Sequence, residues 1–491
     1  MVNARLSDFF KGTVVALSAW SVAAYAWVTL FRLGYPYQLE WLEGALADET
    51  LRVLEGKSLY GPPSLDFLPF FYTPLYFFVS AAFSKITGDG FLPLRLVSVL
   101  SSIGFLGLIG WLVKKETGKT YFAFLAAFLM AATYKVCGSW FDMARLDSFF
   151  LFLTLAGVCL IRFGHSQGAA AAAGSCVFLA FFTKQTALVL FAPLAVYVLL
   201  RRRRQAAFFF GSFAVCFTLS TWLMNRFSGG WYSYYVFDLP RRHSGILVQE
   251  RFLSFWTQDL GGVLPVACVL SAVFLVRLAR RDGDKALFYA LTLAGMLAGS
   301  WITRLHDGGS SNVLMPAFAA LSVLFGMAAA DFTSRGGFVA AAVLGLCLIQ
   351  SLSLAYSPKQ RIPKKIDYEN GRRVVDAIGA VRGQVYAPRF GYLPRLAHKK
   401  TYAHRAAMDD VVRSDALWGA RLCEEMKQAI GERRFQAIFL DAFVFESCNF
   451  QDAIDSQYEA VSPPQLKETK FWGEKDVSFL YVPKAIEAAH G

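Results

Sequence analysis

The sequence predicts an α-helical polytopic membrane protein of about 11–13 transmembrane helices, followed by a small C-terminal α/β domain. Three observations predict it. The 491 residues are 55% hydrophobic and only 17% charged, whereas a soluble domain carries roughly 25% charged residues. The apolar residues come in blocks of about 20, the length that crosses a ~30 Å hydrocarbon core. The composition then changes after Tyr356, where Ser357-Pro358 and Pro363-Lys364-Lys365 open a mixed charged and apolar tail. Together these exclude disorder, a coiled coil, a disulfide-rich mini-protein and an ordinary cytosolic enzyme.

The elements follow in chain order. Segment 13–32 comes after a short charged stretch and has no A-x-A cleavage site, so it reads as an uncleaved first helix. Further apolar segments run over 66–87, 93–113, 121–140, 147–163, 168–183, 185–200, 206–225, 259–279, 286–303, 312–330 and 337–356. They make 1–356 a transmembrane domain whose first outer loop is 33–65. The tail 357–491 is long enough for a core of its own. Within it Gly383–Ala387 and Phe435–Leu440 read as short strands and Asp415–Ile430 as a helix.

Lys and Arg set the orientation. The net charge of +13 would suggest nucleic acid in a soluble protein. Here the basic residues sit between apolar spans, as in Lys114–Lys115, Arg201–Arg204 and Arg277–Arg281, where they set topology and meet lipid headgroups. One set of loops holds thirteen basic residues and the opposite set eight. The richer set is assigned to the cytoplasm, which places the C-terminal domain outside. For that count to work one early segment must fail to span. Segment 66–87, interrupted by Pro69 and Pro74, is the candidate for a re-entrant or interfacial piece. Six of the eight cysteines lie in or beside apolar spans, where Cys acts as a small hydrophobe. Cys423 and Cys448 lie in the tail and can pair if it faces an oxidising compartment.

Five polar clusters fall on the predicted outer face. The first loop has helical periodicity, with Leu39, Leu42, Leu46 and Val53 on one side and Gly56 as a stop. Glu40 and Glu43 share a face. Two carboxylates held at a membrane surface raise each other's pKa, which suits a general base; a surface helix with merely solvated acids has the same pattern. Arg145 and Asp147 stand at the mouth of an apolar helix, as a pair, as ligand contacts, or with Asp147 as an N-cap. Lys184 is pressed between two apolar runs, where it either snorkels or meets a phosphate. The loop 231–249 sets Tyr232, Tyr234 and Tyr235 beside Arg241, Arg242 and His243. That grouping fits a sugar-phosphate ligand and equally an interfacial belt. Arg304 and His306 open a last loop, with Gly308-Gly309 and Asn312 either shaping a site or making a turn and cap.

The order of these features resembles the polytopic glycosyltransferases of the GT-C fold, with bacterial members similar to protein O-mannosyltransferases and to the lipid A aminoarabinose transferase. The resemblance rests on the first-loop acids followed by Leu54-Glu55-Gly56-Lys57-Ser58-Leu59-Tyr60. It continues through Phe71-Tyr72-Thr73-Pro74-Leu75-Tyr76, Arg95-Leu96-Val97-Ser98, Arg145-Leu146-Asp147-Ser148 and Lys184-Gln185. It covers roughly the first 200 residues and implies a bacterial inner or plasma membrane enzyme. The implied reaction moves a sugar, with inversion, from a polyprenyl-phosphate carrier to a hydroxyl of a lipid, glycan or protein on the extracytoplasmic face. A first-loop acid is implied as general base. The matching positions are Glu40 and Glu43, with Glu43-Gly44 the closer match by its spacing to Gly56; the family's common Asp-Glu pair is absent there, with Leu42 where the Asp would be. Tyr72, Arg145, Asp147, Lys184, Arg241, Arg242, His243, Arg304 and His306 are the implied substrate contacts. Lys184, Arg241, Arg242 and Arg304 are the candidates to meet the donor phosphate.

No nucleotide-binding Gly-rich loop, Asp-x-Asp motif or Cys/His metal spacing appears, so no cofactor or metal is expected, and no nucleic-acid partner. Two other readings stand. A transporter or flippase of a lipid-linked saccharide would use the same cavity, although no repeat relates the two halves and the acids lie outside rather than at midplane. A non-catalytic assembly subunit would tolerate Gln at both Glu40 and Glu43.

Overall fold

The computed structural model describes residues 2–243, 248–440, 448, 450–461 and 479–484. Each of the twelve apolar segments carries a helix: α1 (Val2–Leu33), α3 (Leu75–Thr87), α4 (Phe91–Thr117), α5 (Thr120–Ala132), α6 (Asp147–Phe163), α7 (Gln167–Phe181), α8 (Ala187–Arg201), α9 (Arg203–Ser228), Pro265–Arg281, Gly283–Leu305, Met315–Thr333 and Gly337–Ser353. One further helix, α2 (Glu43–Leu54), lies in the first loop. Several spans end on cations, as in Lys114 and Lys115 of α4, Arg162 of α6 and Arg280 and Arg281 of the later helix. A positive charge there meets the negative end of the helix dipole as well as lipid headgroups.

Among the described residues five helices are long and apolar enough to cross a membrane unaided, and two bent pairs raise the number to seven. One pair, Arg251–Leu260 with Pro265–Arg281, bends by 92°. The other apolar helices are shorter. α3 has 13 residues, about 20 Å of rise, and falls short of the hydrocarbon thickness. Pro74 stands at its N-cap, so the proline that marked the segment in the sequence is where the helix begins.

The chain forms two compact units. The first comprises Met1–Leu30, Val97–Ser220 and Ile246–Ile362. At its centre lies the helix Met315–Thr333, buried along most of its length. It packs on α5, where a Cβ on Gly326 would come within 2.9 Å of the Phe122 carbonyl. Close approach through small residues is how apolar helices gain packing energy in lipid, which offers no hydrophobic drive of its own.

The second unit comprises Phe31–Leu96, Thr221–Gly245 and Pro363–Gly491. Its sheet has the order β1-β2-β4-β3, from β1 (Val385–Tyr386), β2 (Ala437–Leu440), β3 (Tyr458–Val461) and β4 (Phe479–Pro483). β1 pairs with β2 in parallel, Val385 facing Ala437, and the other pairs are antiparallel. Parallel neighbours need a long crossover, which here carries the helices Arg405–Ser414 and Ala416–Gly431. Val374, Ile378, Val385, Phe390, Leu393 and Phe439 form the core beneath. Cys423 and Cys448 form a disulfide, their Cα atoms 5.5 Å apart.

Candidate active site

In the second unit the site begins where α1 ends. Glu40 to Leu42 form a turn that opens α2, and the helix stops as the sequence requires. Gly56 takes a left-handed φ of 68°, with Gly56 N–H bonded to the Val53 carbonyl and Lys57 N–H to the Arg52 carbonyl. This is the Schellman pattern that favours glycine after a helix.

The two predicted acids stand in different surroundings. Glu43 has a fully buried side chain against the Arg95 guanidinium. Arg95 Nε donates to Glu43 Oε1 at 3.2 Å and Nη2 to Oε2 at 2.8 Å, while Leu39 N–H donates to Oε2 at 2.5 Å. Arg95 also donates to the carbonyls of Arg32, Tyr35 and Tyr37. One guanidinium thus ties the end of α1, the chain after it and the start of α2. Glu40 is 8% exposed, and its Oε2 accepts the Leu42 N–H at 3.1 Å. The C-terminal segment packs against this turn. Gln38 donates to the Arg389 carbonyl at 3.3 Å, Arg389 lies 4.7 Å over the Trp41 ring, and His404 meets Trp41 at ring centroids 5.4 Å apart. Phe70 continues the aromatic cluster to Tyr72, whose carbonyl accepts the Tyr60 hydroxyl at 2.7 Å.

Arg242 pairs with Asp415, which also accepts from the Tyr234 hydroxyl at 3.2 Å and caps the helix Ala416–Gly431 through the N–H groups of Leu417 and Trp418. Arg241 is exposed beside it. The His243 side chain lies outside the described residues, although its backbone closes the helix Leu239–His243.

The remaining predicted residues belong to the first unit. Asp147 is buried at the first position of α6 and caps nothing. Its Oδ1 accepts from Lys184 Nζ at 2.8 Å and from Asn312 Nδ2 at 2.9 Å, and its Oδ2 lies 3.9 Å from Arg145. Asn312 therefore serves as a partner of Asp147 rather than as a helix cap. Arg145 also stacks 4.5 Å over Trp140. Arg304 is held by Asp259 at 2.8 Å and by the Gly309 carbonyl at 2.6 Å. His306 follows as the cap of the same helix, and its carbonyl accepts from Arg251. Lys184, Arg242 and Arg304 thus each face a carboxylate already. We expect Lys184→Met to lower stability toward the low end of the roughly 3–5 kcal/mol that losing one partner of a buried pair costs, because Asn312 and Arg145 remain at Asp147. A thermal melt in detergent measures it.

Sequence reasoning passed over Asp48 and Glu49. Glu49 is buried, its Oε1 accepting the Phe70 N–H at 2.7 Å and its Oε2 without a partner among the described residues. Burial pushes both carboxyls up to about 8; Arg395 opposes the shift at Asp48, and the Phe70 N–H opposes it at Glu49. The signal was present, since Glu49 falls in the stripe Leu42, Leu46, Val53 at helical spacing. A carboxyl whose pKa is higher folded than unfolded binds more protons in the native state. Stability from this pair is therefore full below about pH 4 and is lost progressively as pH rises through about 8. The expected melting temperature falls from pH 5 to pH 9, and Glu49→Gln flattens that slope. Among the described residues no group of three or more His, Cys, Asp or Glu side chains could hold a metal ion.

Comparison with known proteins bears on this arrangement. The model of glycosyltransferase family 87 matches residues 70–303. The crystal structure of ArnT from Cupriavidus metallidurans bound to undecaprenyl phosphate superposes with a TM-score of 0.62 at 14% identity, covering 97% of this chain and 98% of that one. The chain has the GT-C fold. The apo form of the same ArnT gives a TM-score of 0.61, also at 14% identity, over 96% of this chain and 97% of that one. The Archaeoglobus fulgidus oligosaccharyltransferase, in complex with Zn and sulfate, gives 0.51 at 11% identity over 87% of this chain and 68% of that one. No curated protein sequence matches. With its long apolar helices, the chain is an integral, multi-pass membrane protein.

Proposed function

We propose that the chain transfers a sugar from a polyprenyl-phosphate carrier to an acceptor hydroxyl on the extracytoplasmic face, with Glu40 as general base. The observation that carries the assignment is the division of labour in the first loop. Both Glu43 oxygens are engaged by Arg95 and the Leu39 N–H, which leaves this carboxylate poorly placed to take a proton. Glu40 is the less deeply buried acid of the pair, 8% exposed against 0%, and the better suited to meet an acceptor. In the reaction the acceptor oxygen attacks the anomeric carbon from the face opposite the carrier, and its proton passes to Glu40. The bond from that carbon to the phosphate oxygen breaks, and polyprenyl phosphate leaves as an anion. One displacement inverts the anomeric centre.

A donor of this kind is supported by the similar ArnT structure, which binds undecaprenyl phosphate. The extracytoplasmic placement draws on the Cys423–Cys448 disulfide, a bond typical of oxidising compartments. Arg241 and Arg242, in the same unit as Glu40, are the proposed contacts of the donor phosphate, which at Arg242 would compete with Asp415. The test is transfer from a panel of radiolabelled polyprenyl-phosphate sugars by the purified protein in lipid vesicles. The expected result is a labelled acceptor with inverted configuration from at least one donor. Failure of every donor with every acceptor extract would overturn the proposal and favour transport of a lipid-linked saccharide.

A further inference from the structure

His404 is 4% exposed and caps the helix Arg405–Ser414. Ala406 N–H donates to its Nδ1 at 3.2 Å, so that nitrogen presents a lone pair. In a neutral ring the proton then sits on Nε2. Nε2 lies 3.2 Å from the Trp41 carbonyl, to which it donates. Burial and the nearby Arg389 charge push the ring down to about 3, which keeps it neutral and in this one tautomer throughout the physiological range.

The Trp41 carbonyl and the Leu42 N–H are two ends of one planar peptide group. Leu42 N–H in turn donates to Glu40 Oε2 at 3.1 Å. Any rotation of that plane breaks both bonds at once. A donor on the carbonyl also polarises the amide and strengthens its N–H as a donor. The same loop is gripped by the backbone of Gly391 and Tyr392, which precede His404 in the chain. A Cβ on Gly391 would lie 2.5 Å from Ala45 N, and one on Gly44 would lie 2.8 Å from Tyr392 N. The C-terminal segment and residues 38–45 therefore meet main chain to main chain.

We infer that His404 is a positioning residue for the transferase: its Nε2–H holds the Trp41–Leu42 peptide plane, whose N–H orients the Glu40 carboxylate toward the acceptor. The inference rests on Glu40 being the base. It gives the C-terminal domain a part in the chemistry through a residue more than 360 positions from the acid it serves.

Two substitutions separate the two bonds of the ring. His404→Asn keeps an acceptor for the Ala406 N–H, since Asn is a favoured N-cap, but does not reach the Trp41 carbonyl. His404→Gln returns an N–H at that distance and weakens the cap. For His404→Asn we expect a near-native melt, faster deuterium uptake in the peptide spanning 38–46, and a kcat lower by about tenfold to a hundredfold with the KM for donor unchanged. His404→Gln is expected to recover most of that kcat and the protection of 38–46. Unchanged deuterium uptake in His404→Asn would overturn the inference whatever the activity. Equal losses in both variants would overturn it too, pointing instead to the ring or the cap itself. Failure of the base assignment is read separately: Glu40→Gln would then transfer at the wild-type rate, while the uptake of 38–46 still decides the role of His404.

Discussion

Replacing Glu40 by Gln is expected to reduce kcat by a factor on the order of 10²–10⁴, the usual contribution of a positioned general base, with little change in the melt. The substitution is conservative toward the Leu42 N–H. Gln retains an oxygen that can accept the Leu42 N–H, which the Glu40 carboxylate now accepts at 3.1 Å. What it lacks is a site that can take the acceptor proton. Binding of a lipid-linked donor should be little affected, because the proposed contacts of its phosphate are cations rather than this acid. The effect should therefore appear in kcat and leave the KM for donor nearly constant. A wild-type rate in a folded Glu40→Gln protein would remove Glu40 from the mechanism. Attention would then pass to Asp48 and Glu49, the other buried acids of α2.

The architecture was largely legible, because membrane spans are written in blocks that need no partner to be recognised. All twelve apolar segments became helices, Gly56 ended α2 through its left-handed backbone, and Asp415 opened the helix expected over 415–430. Local chemistry decides such features, so local sequence shows them. The pairings that give the site its character were not legible, because they join residues distant in the chain. Arg95 appears in the sequence as one basic residue of an apolar run, and nothing nearby announces Glu43, 52 positions earlier. Asp147 offered a cap to its own helix or a pair with Arg145; the pair forms at 3.9 Å, while Lys184 and Asn312, 37 and 165 positions away, are partners the sequence did not show. Asn312 likewise looked like a cap for want of any visible partner. Glu49 was missed for a different reason. Attention to the spacing between Glu43-Gly44 and Gly56 fixed on the start of α2, and an acid within its apolar stripe was read through.

Arg95→Met is expected to be the most damaging single substitution in the first loop. Arg95 is completely buried and makes hydrogen bonds to three carbonyls and both oxygens of one carboxylate. Removing one partner of a buried ion pair costs about 3–5 kcal/mol, because the other charge is left without compensation. The carbonyls of Arg32, Tyr35 and Tyr37 lose their donor as well, and each buried polar group left unsatisfied costs about 1–3 kcal/mol. Against a total stability of roughly 5–15 kcal/mol, the sum predicts a chain that does not accumulate as a monodisperse species in detergent. Arg95→Lys is not a remedy, because a single ammonium cannot reproduce the planar fork that serves Glu43 and the carbonyls together. The informative partner is Arg95→Met combined with Glu43→Leu. Taking the acid away removes the uncompensated charge, so the double variant should be more stable than Arg95→Met alone although it carries one more change. That inversion is the mark of a coupled pair, and the yield of monodisperse protein, with the melting temperature of each variant that accumulates, measures it. A melt of Arg95→Met within about 1 °C of wild type, a shift worth roughly 1 kcal/mol in a chain of this size, would show that Glu43 and the end of α1 are held by something else. Loss of the fold with rescue by the double variant would show that one buried arginine keeps the loop closed. It would also support the proposed assignment, in which Glu43 is committed to structure and Glu40, three residues before it, is the acid proposed as base.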